Sequence, residues 1–200
     1  MNQLDPNSPS RLLPATDNRD LVAGLVAEEP WAQRAFVERM TPGVRRVLTR
    51  ILGNVHDVDD LTQETLLRAL SRIIALREAD KLRPYVMQIA VFVGREAIRS
   101  RHRRRWLRFF APEEMPEAEA SCSTPEGRRA VRALYAALGT LTPDAHVVFT
   151  LRHLEGLELK EVARLTDLSL ATVKRRLEEA EAHLLVRAPD VLAFVSEIRA

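Results

Sequence analysis

The composition of the chain changes abruptly at residues 111–127, and amphipathic sequence lies on both sides of this segment. This segment, APEEMPEAEASCSTPEG, holds three prolines and five glutamates and contains no Lys or Arg. Such a stretch cannot bury enough apolar surface to offset the entropy lost on ordering it. We therefore predict a flexible acidic linker over residues 111–127, joining two small helical domains in an all-α chain.

Before the linker, apolar residues recur at the helical period of 3.6. Residues 20–110 are predicted to form one helical domain after a disordered leader at residues 1–19, which is rich in Asn, Ser, Pro and Asp. Pro30 and Pro42 are each typical of a helix start, and Gly53 is typical of a helix end. The apolar stripes consist of Leu21, Val22, Leu25, Val26, Trp31, Ala35, Phe36, Met40, Val44, Val47, Leu48, Ile51 and Leu52.

The stretch DVDDLTQETLLRALSRI, residues 57–73, combines a buried stripe with a polar one. Asp57 is predicted to be the N-cap. The stripe predicted to be buried consists of Val58, Leu61, Thr65, Ala69 and Ile73. The stripe predicted to face outward consists of Asp60, Gln63, Glu64, Leu67 and Ser71.

The next helical stretch, LRPYVMQIAVFVGREAIRSRHRRR, runs from an apolar and partly aromatic start into a cationic end. Residues 95–108 hold seven arginines against the single acidic residue Glu96. Aromatic rings and guanidinium groups stack on unpaired bases, and positive charge neutralises phosphates. A polar helix followed by a cationic one suggests a protein held between a protein partner and a nucleic acid.

After the linker, residues 128–188 are predicted to form a second helical domain. Thr142 followed by Pro143 is typical of a helix start. A short helix from Leu159 to Thr166, a turn at Asp167 and Leu168, and a second helix capped by Ser169 have helix-turn-helix spacing, although a plain helical hairpin has it too. The side chains placed to reach base edges and phosphates are Ala171, Thr172, Lys174, Arg175 and Arg176.

A C-terminal tail at residues 189–200 is predicted to be a short helix that packs on this domain or docks a partner.

Several classes of function find no support in the sequence. Cys122 is the only cysteine, so an intramolecular disulfide is excluded. His146 and His153 lie two turns apart without a third ligand, and we expect no metal site and no cofactor. No nucleotide-binding glycine loop or catalytic constellation is present, so an enzyme is not expected. Without an export signal or an apolar run of about 18 residues, we expect a cytoplasmic protein that does not insert into a membrane.

Three segments, in this order, resemble bacterial sigma factors of the sigma-70 family, and the short two-domain layout resembles the extracytoplasmic-function (ECF) group. DVDDLTQETLLRAL resembles the segment that binds core RNA polymerase, and YVMQIAVFVGREAIRSRHRRR resembles the promoter-melting segment. LEGLELKEVARLTDLSLATVKRRLEEA resembles the C-terminal helix-turn-helix. The chain departs from the family at Phe92, where Asn is common, and at Tyr85, where Trp is frequent.

The resemblance implies a role for each segment. The residues implied to face the coiled coil of the polymerase β′ clamp are Asp60, Gln63, Glu64, Leu67 and Arg68. Those implied to engage the −10 element are Tyr85, Gln88, Arg95, Arg99, Arg101, Arg103, Arg104 and Arg105. Those implied to read the −35 element are Thr172, Lys174, Arg175 and Arg176.

We therefore expect a sigma factor, with core RNA polymerase and promoter DNA as partners and an anti-sigma factor as a further candidate partner. The main alternative is a free-standing helix-turn-helix regulator whose N-terminal domain dimerises. A third interpretation is a degenerate sigma-like interaction protein that no longer directs initiation.

Overall fold

In the computed structural model, residues 17–53, 57–107 and 125–188 are described, and every regular element in these ranges is helical. The helices are α1 (Asn18–Val26), α2 (Pro30–Leu52), α3 (Val58–Ser71), α4 (Leu82–Leu107), α5 (Pro125–Leu138), α6 (Pro143–Phe149), α7 (Leu159–Thr166) and α8 (Leu170–Arg187). Two short 3₁₀ turns, Ile73–Ala75 and Ala79–Lys81, connect α3 to α4, and a π-helical segment, Thr150–Leu154, extends α6. The predicted tail, most of the predicted leader and most of the predicted linker lie outside the described residues.

The N-terminal half is a bundle of α1 to α4 around a core centred on α2. Phe36, Leu48, Ile51, Val58 and Val86 are fully buried there. The prediction of a helix start at Pro42 was wrong, because α2 continues through it from Pro30 to Leu52. Apolar residues on both sides of the proline are buried on the same face, which offsets the roughly 3 kcal/mol that an internal proline costs. Pro30 does occupy the start of the helix, as predicted.

The ends of α2 and α3 show which capping predictions hold. Gly53 ends α2 with φ +71, a left-handed conformation that glycine adopts at little cost, which confirms that prediction. Asp57 occupies the N-cap position of α3, but its side chain makes no capping hydrogen bond. Its carboxylate instead lies 2.8 Å from the Arg101 guanidinium, and this charged partner takes the place of the backbone N–H groups.

The C-terminal half consists of α5 to α8, packed around Leu138, Phe149 and Leu184. The predicted turn and caps are confirmed. Asp167 lies in the left-handed region (φ 57) between α7 and α8, and the Ser169 hydroxyl accepts a hydrogen bond from the Thr172 N–H at 3.1 Å. The Thr142 side chain caps α6. Together α7 and α8 form the predicted helix-turn-helix.

The two halves are packed against one another, which the sequence pattern did not predict. One apolar cluster joins buried residues of α2 and α4, among them Val47 and Val91, to Val148, Leu151 and Val162 of the C-terminal half. Helix α4 packs against both α6 and α7. This contact decides which of the predicted surfaces are accessible.

Candidate nucleic-acid and protein interfaces

The outward stripe of α3 is accessible along most of its length. The stripe predicted to be buried is buried or half-buried, and Asp60, Gln63 and Leu67 are exposed, Leu67 to 65%. Arg68 is held between Glu64, at 2.6 Å, and Glu96 of α4, at 2.9 Å. The hydrogen bond to Glu96 and the charges of both carboxylates raise the pKa of Arg68. The stripe therefore presents one free carboxylate, an amide and an apolar side chain beside an internally paired arginine.

The first turns of α4 place Tyr85 and Gln88 in contacts within the protein. The Tyr85 hydroxyl donates to the Ala69 carbonyl at 3.1 Å, and burial raises the pKa of its phenol. Tyr85 therefore joins α4 to α3. Gln88 is exposed, and its amide donates to the Arg164 carbonyl of α7 at 3.4 Å.

Several of the arginines expected to contact DNA are occupied by other groups of the chain. Arg95, with a side chain only 14% exposed, donates to the Thr166 carbonyl at 3.1 Å. The Asp144 carboxylate lies 3.6 Å from both Arg95 and Arg99. Arg101 donates to the Leu52 carbonyl at 3.2 Å.

The remainder of the cationic end is only partly described. Arg103 is exposed, and Arg104 and Arg105 belong to α4 by their backbone, while their side chains lie outside what the structure describes. The cationic end of α4 is therefore partly covered by the second half of the chain.

Phe92 is an exposed aromatic side chain on the same helix. It is 42% exposed, and the guanidinium carbons of Arg68 and Arg95 lie 5.7 and 5.8 Å from its ring centroid. These distances fit cation–π contacts. In the sequence Phe92 stood out only as a departure from the sigma-factor pattern, since a single aromatic residue on a helix gives no sign of which side chains flank it.

The start of α8 keeps two basic side chains in solvent. Lys174 and Arg175 are exposed. Arg176 is paired within the helix to Glu179 at 2.8 Å, and the Thr172 hydroxyl lies 2.8 Å from that of Ser169. Of the four residues expected to read duplex DNA, Lys174 and Arg175 are the ones that project freely.

A buried carboxylate joins the two halves. The Glu155 side chain, 3% exposed, lies 3.1 Å from Arg46 and 3.1 Å from Arg50. Arg50 also donates to the Leu154 carbonyl at the end of the π-helical segment. This cluster was missed in the sequence because partners about 105 residues apart leave no local pattern.

The carboxyl end of α2 is capped by side chains from other helices. The last carbonyls of a helix have no partner within it. Here the Tyr135 hydroxyl donates to the Arg50 carbonyl at 2.7 Å, and His146 Nε2 lies 2.9 Å from the Ile51 carbonyl. Burial raises the pKa of Tyr135 and lowers the pKa of His146 to about 4. Two residues of the C-terminal half thus complete a helix of the N-terminal half.

The described ranges hold no group of three or more His, Cys, Asp or Glu arranged to bind a metal ion. No helix in those ranges is both long enough and apolar enough to cross a membrane. Among the surfaces predicted from the sequence, those that the described residues leave accessible are the α3 stripe, part of α4 and the start of α8.

Comparison with protein families gives two matches. Residues 36–106 match the family described as Sigma-70 region 2, and residues 131–184 match Sigma-70, region 4. The first covers most of α2, α3 and α4, and the second covers the helix-turn-helix. The two matched ranges cover all or most of α2, α3 and α4, and all or part of α5 to α8.

Comparison with individual proteins agrees with the family matches. The chain is similar to the ECF RNA polymerase sigma factor SigC of Mycobacterium tuberculosis, with 31% identity over 80% of this chain and 86% of the relative. It is also similar to the ECF RNA polymerase sigma factor SigE of Mycolicibacterium smegmatis, with 29% identity over 74% of this chain. The chain spans 58% of the length of SigE.

Two solved structures have a similar fold. One is the sigma factor RpoE in complex with the anti-sigma factor NepR from Bartonella quintana, with a TM-score of 0.58 and 17% identity over 80% of this chain and 96% of that one. The other is CnrH in complex with the cytosolic domain of CnrY, with a TM-score of 0.55 and 20% identity over 86% of this chain and 96% of that one.

Proposed function

The chain belongs to the ECF group of the sigma-70 family, and from that membership we propose that it binds core RNA polymerase and directs promoter-specific initiation of transcription. The observation that carries the proposal is the presence, in one chain and in the family's order, of the region 2 unit and the region 4 unit. A free-standing helix-turn-helix regulator needs only the second of these.

We assign the α3 stripe to the polymerase. Asp60, Gln63 and Leu67 are exposed together on one face, and Leu67 keeps 65% of its surface in solvent. An apolar side chain flanked by polar ones is typical of a protein contact surface. In this proposal the face meets the coiled coil of the β′ clamp, and the Glu64–Arg68 pair borders the contact.

We assign α4 to the −10 element and α8 to the −35 element. Opening a duplex costs a few kcal/mol per unstacked base, and aromatic and guanidinium faces recover about 1 to 3 kcal/mol per base by stacking. Phe92, Arg95 and Arg99 lie along one side of α4 and supply such groups. The exposed Lys174 and Arg175 at the start of α8 suit contacts to base edges and phosphates of duplex DNA.

This assignment requires the two halves to separate. Gln88, Arg95 and Arg99 contact the C-terminal half in the structure. Arg95, with a side chain only 14% exposed, is closed to a promoter strand while α6 and α7 cover it. Gln88 and Arg99 are exposed, but both are held by contacts to the same helices. Separation on binding polymerase would free them, and the 17 residues between α4 and α5 would span the resulting gap.

In this function the polymerase carries out RNA synthesis, and the protein itself is not an enzyme. We propose that it acts in the cytoplasm. The two solved structures of similar fold each contain a second protein, named in one case as an anti-sigma factor. We extend this to the present chain as a candidate partner that would control access to the polymerase.

The proposal is tested by gel filtration of the purified chain with core RNA polymerase. A sigma factor is expected to co-elute with the polymerase. A stable homodimer that ignores the polymerase would instead support the free-standing regulator.

A further inference from the structure

His146 is a buried titratable side chain at the contact between the two halves. It belongs to α6, and the Ile51 carbonyl that its Nε2 contacts at 2.9 Å lies in the last turn of α2, in the other half. Its neighbours Val147 and Val148 are fully buried in the apolar cluster shared by the halves. The imidazole therefore changes its surroundings whenever the halves separate.

The charges around His146 oppose a second proton. The charges of His102 and Arg101 on α4 both disfavour the imidazolium. The nearest acid on its own helix, Asp144, lies close to Arg95 and Arg99. From α5 the neutral Tyr135 hydroxyl bonds to the adjacent Arg50 carbonyl.

The hydrogen bonding fits a neutral ring. With Nε2–H donating to the Ile51 carbonyl, Nδ1 is the unprotonated nitrogen, and it is buried without a hydrogen-bond partner among the described residues. A proton on Nδ1 would place a positive charge in an apolar contact beside a guanidinium. Burial of the ring outweighs the nearby Ile51 and Leu138 carbonyls, which favour a proton, and the pKa of His146 stays lowered to about 4.

We propose that His146 makes the docking of the two halves acid-sensitive, so that proton uptake by its imidazole favours the separated arrangement. The docked state holds the neutral ring, whereas in the separated state the ring is hydrated. Docking is therefore strongest above pH about 6.5, the ordinary pKa of histidine, and weakens as the pH falls toward about 4. Between pH 7.5 and 5.5 the ratio of separated to docked molecules rises about tenfold from these two values.

The consequence for function rests on the proposed role as a sigma factor. Separation uncovers Arg95 and releases the exposed Gln88 and Arg99 from their contacts, and that role assigns all three to the −10 element. Acidification would then raise the fraction of chains ready to engage a promoter. The docking equilibrium itself involves neither polymerase nor DNA, so it is measured independently of the role.

The experiment measures the distance between two spin labels on the full chain by pulsed electron resonance. Labels are attached through Arg34→Cys on α2 and Glu178→Cys on α8, both at exposed positions, in a Cys122→Ser background. Urea is added until separated and docked molecules are present in similar amounts, and circular dichroism is used to confirm that the helices persist. The ratio of the two populations is then compared from pH 7.5 to 5.5.

In the wild-type background, the ratio of separated to docked molecules is expected to rise tenfold. In His146→Gln this ratio should be independent of pH, because glutamine keeps a hydrogen-bond donor but does not titrate in this range. His146→Asn, with a shorter amide, repeats the test if the glutamine variant does not dock. His183→Gln is the matched control, because His183 bonds to Thr140 within the C-terminal half, and it should behave as wild type. A wild-type ratio that is constant with pH, or a glutamine or asparagine variant that retains the pH dependence, would overturn the proposal.

Discussion

The ring of Tyr135 lies directly against the Cα of Gly53, across the contact between the two halves. A Cβ at Gly53 would overlap the ring, and the Tyr135 hydroxyl donates to the Arg50 carbonyl three residues earlier, at 2.7 Å. Gly53 also has φ +71, so its conformation and its missing side chain are both required here. The end of α2 is shaped to receive a side chain of the C-terminal half.

Gly53→Ala should therefore destabilise the protein through two effects. The left-handed conformation costs a non-glycine residue about 1 to 2 kcal/mol, and displacement of the Tyr135 ring adds about 1 to 3 kcal/mol of overpacking. Gly156→Ala is the matched control, since Gly156 has φ +73 but nothing within 4 Å of its added Cβ. Urea unfolding should show a clearly larger loss for the first variant, and equal losses would mean that Tyr135 does not hold this position.

Glu155→Gln should weaken the contact between the halves. The carboxylate is buried between Arg46 and Arg50, although both arginines are about half exposed and water screens their charge. We expect the free energy of unfolding to fall by about 1 to 2 kcal/mol. Glu179→Gln, which removes the exposed pair with Arg176, should cost about 0.5 kcal/mol or less. If the two variants were destabilised by the same amount, the buried cluster would have no special role in docking.

The α3 stripe is tested by charge reversal. Asp60→Arg combined with Glu64→Arg places two cations on the face assigned to the polymerase and removes the partner of Arg68. Co-elution with core polymerase should be abolished while the circular dichroism spectrum is retained. Glu38→Arg, an exposed reversal on α2, should still co-elute. Retained binding by the double variant would remove α3 from the polymerase interface.

The start of α8 is tested by alanine substitution of its two free cations. Lys174→Ala and Arg175→Ala should each weaken promoter binding by the polymerase complex, by about 1 to 3 kcal/mol for every base that the side chain no longer reaches. Arg187→Ala, an exposed cation at the far end of α8, should leave binding within about 0.5 kcal/mol. Footprints that keep their upstream protection in the first two variants would reassign the helix.

Phe92 is expected to act when DNA is opened. Its ring is exposed and lies outside the core, so Phe92→Ala should leave stability nearly unchanged, while removal of one stacking partner costs about 1 to 3 kcal/mol of promoter opening. Permanganate reactivity of thymines in the −10 element should fall on a duplex promoter and recover on a template that is already unpaired there. Val37→Ala, which truncates another exposed apolar side chain, is the control. An equal defect on both templates would argue against stacking.

Local chemistry predicted most of the helices. The hydrophobic period is a local pattern, and it predicts where a helix forms. The positions where helices begin or end depend on residues that act within one turn of the chain, namely Pro30, Gly53, Thr142 and Ser169. Pro42 was misjudged because an internal proline is tolerated only when the packing on both sides compensates, and packing is not local. The resemblance to sigma factors could be recognised for the same reason, because each of the three similar segments is a continuous stretch of the sequence.

The contact between the halves could not be predicted in the same way. A helical period shows which face is apolar, but not which helix that face meets. Arg46, Arg50 and Arg95 have the pattern of solvated or DNA-binding side chains, yet they pair with Glu155, Asp144 and the Thr166 carbonyl of the other half. His146 gave no signal either, since its role depends on the Ile51 carbonyl, 95 residues away in the chain.

Run-off transcription of fragmented genomic DNA with core RNA polymerase, in the presence and absence of the protein, measures whether the chain directs initiation. Discrete transcripts should appear only when the protein is added, and they should disappear with Asp60→Arg combined with Glu64→Arg. Polymerase that binds the protein yet produces no new transcript from any fragment would contradict the proposed function, and would identify the chain as a sigma-like protein that no longer directs initiation.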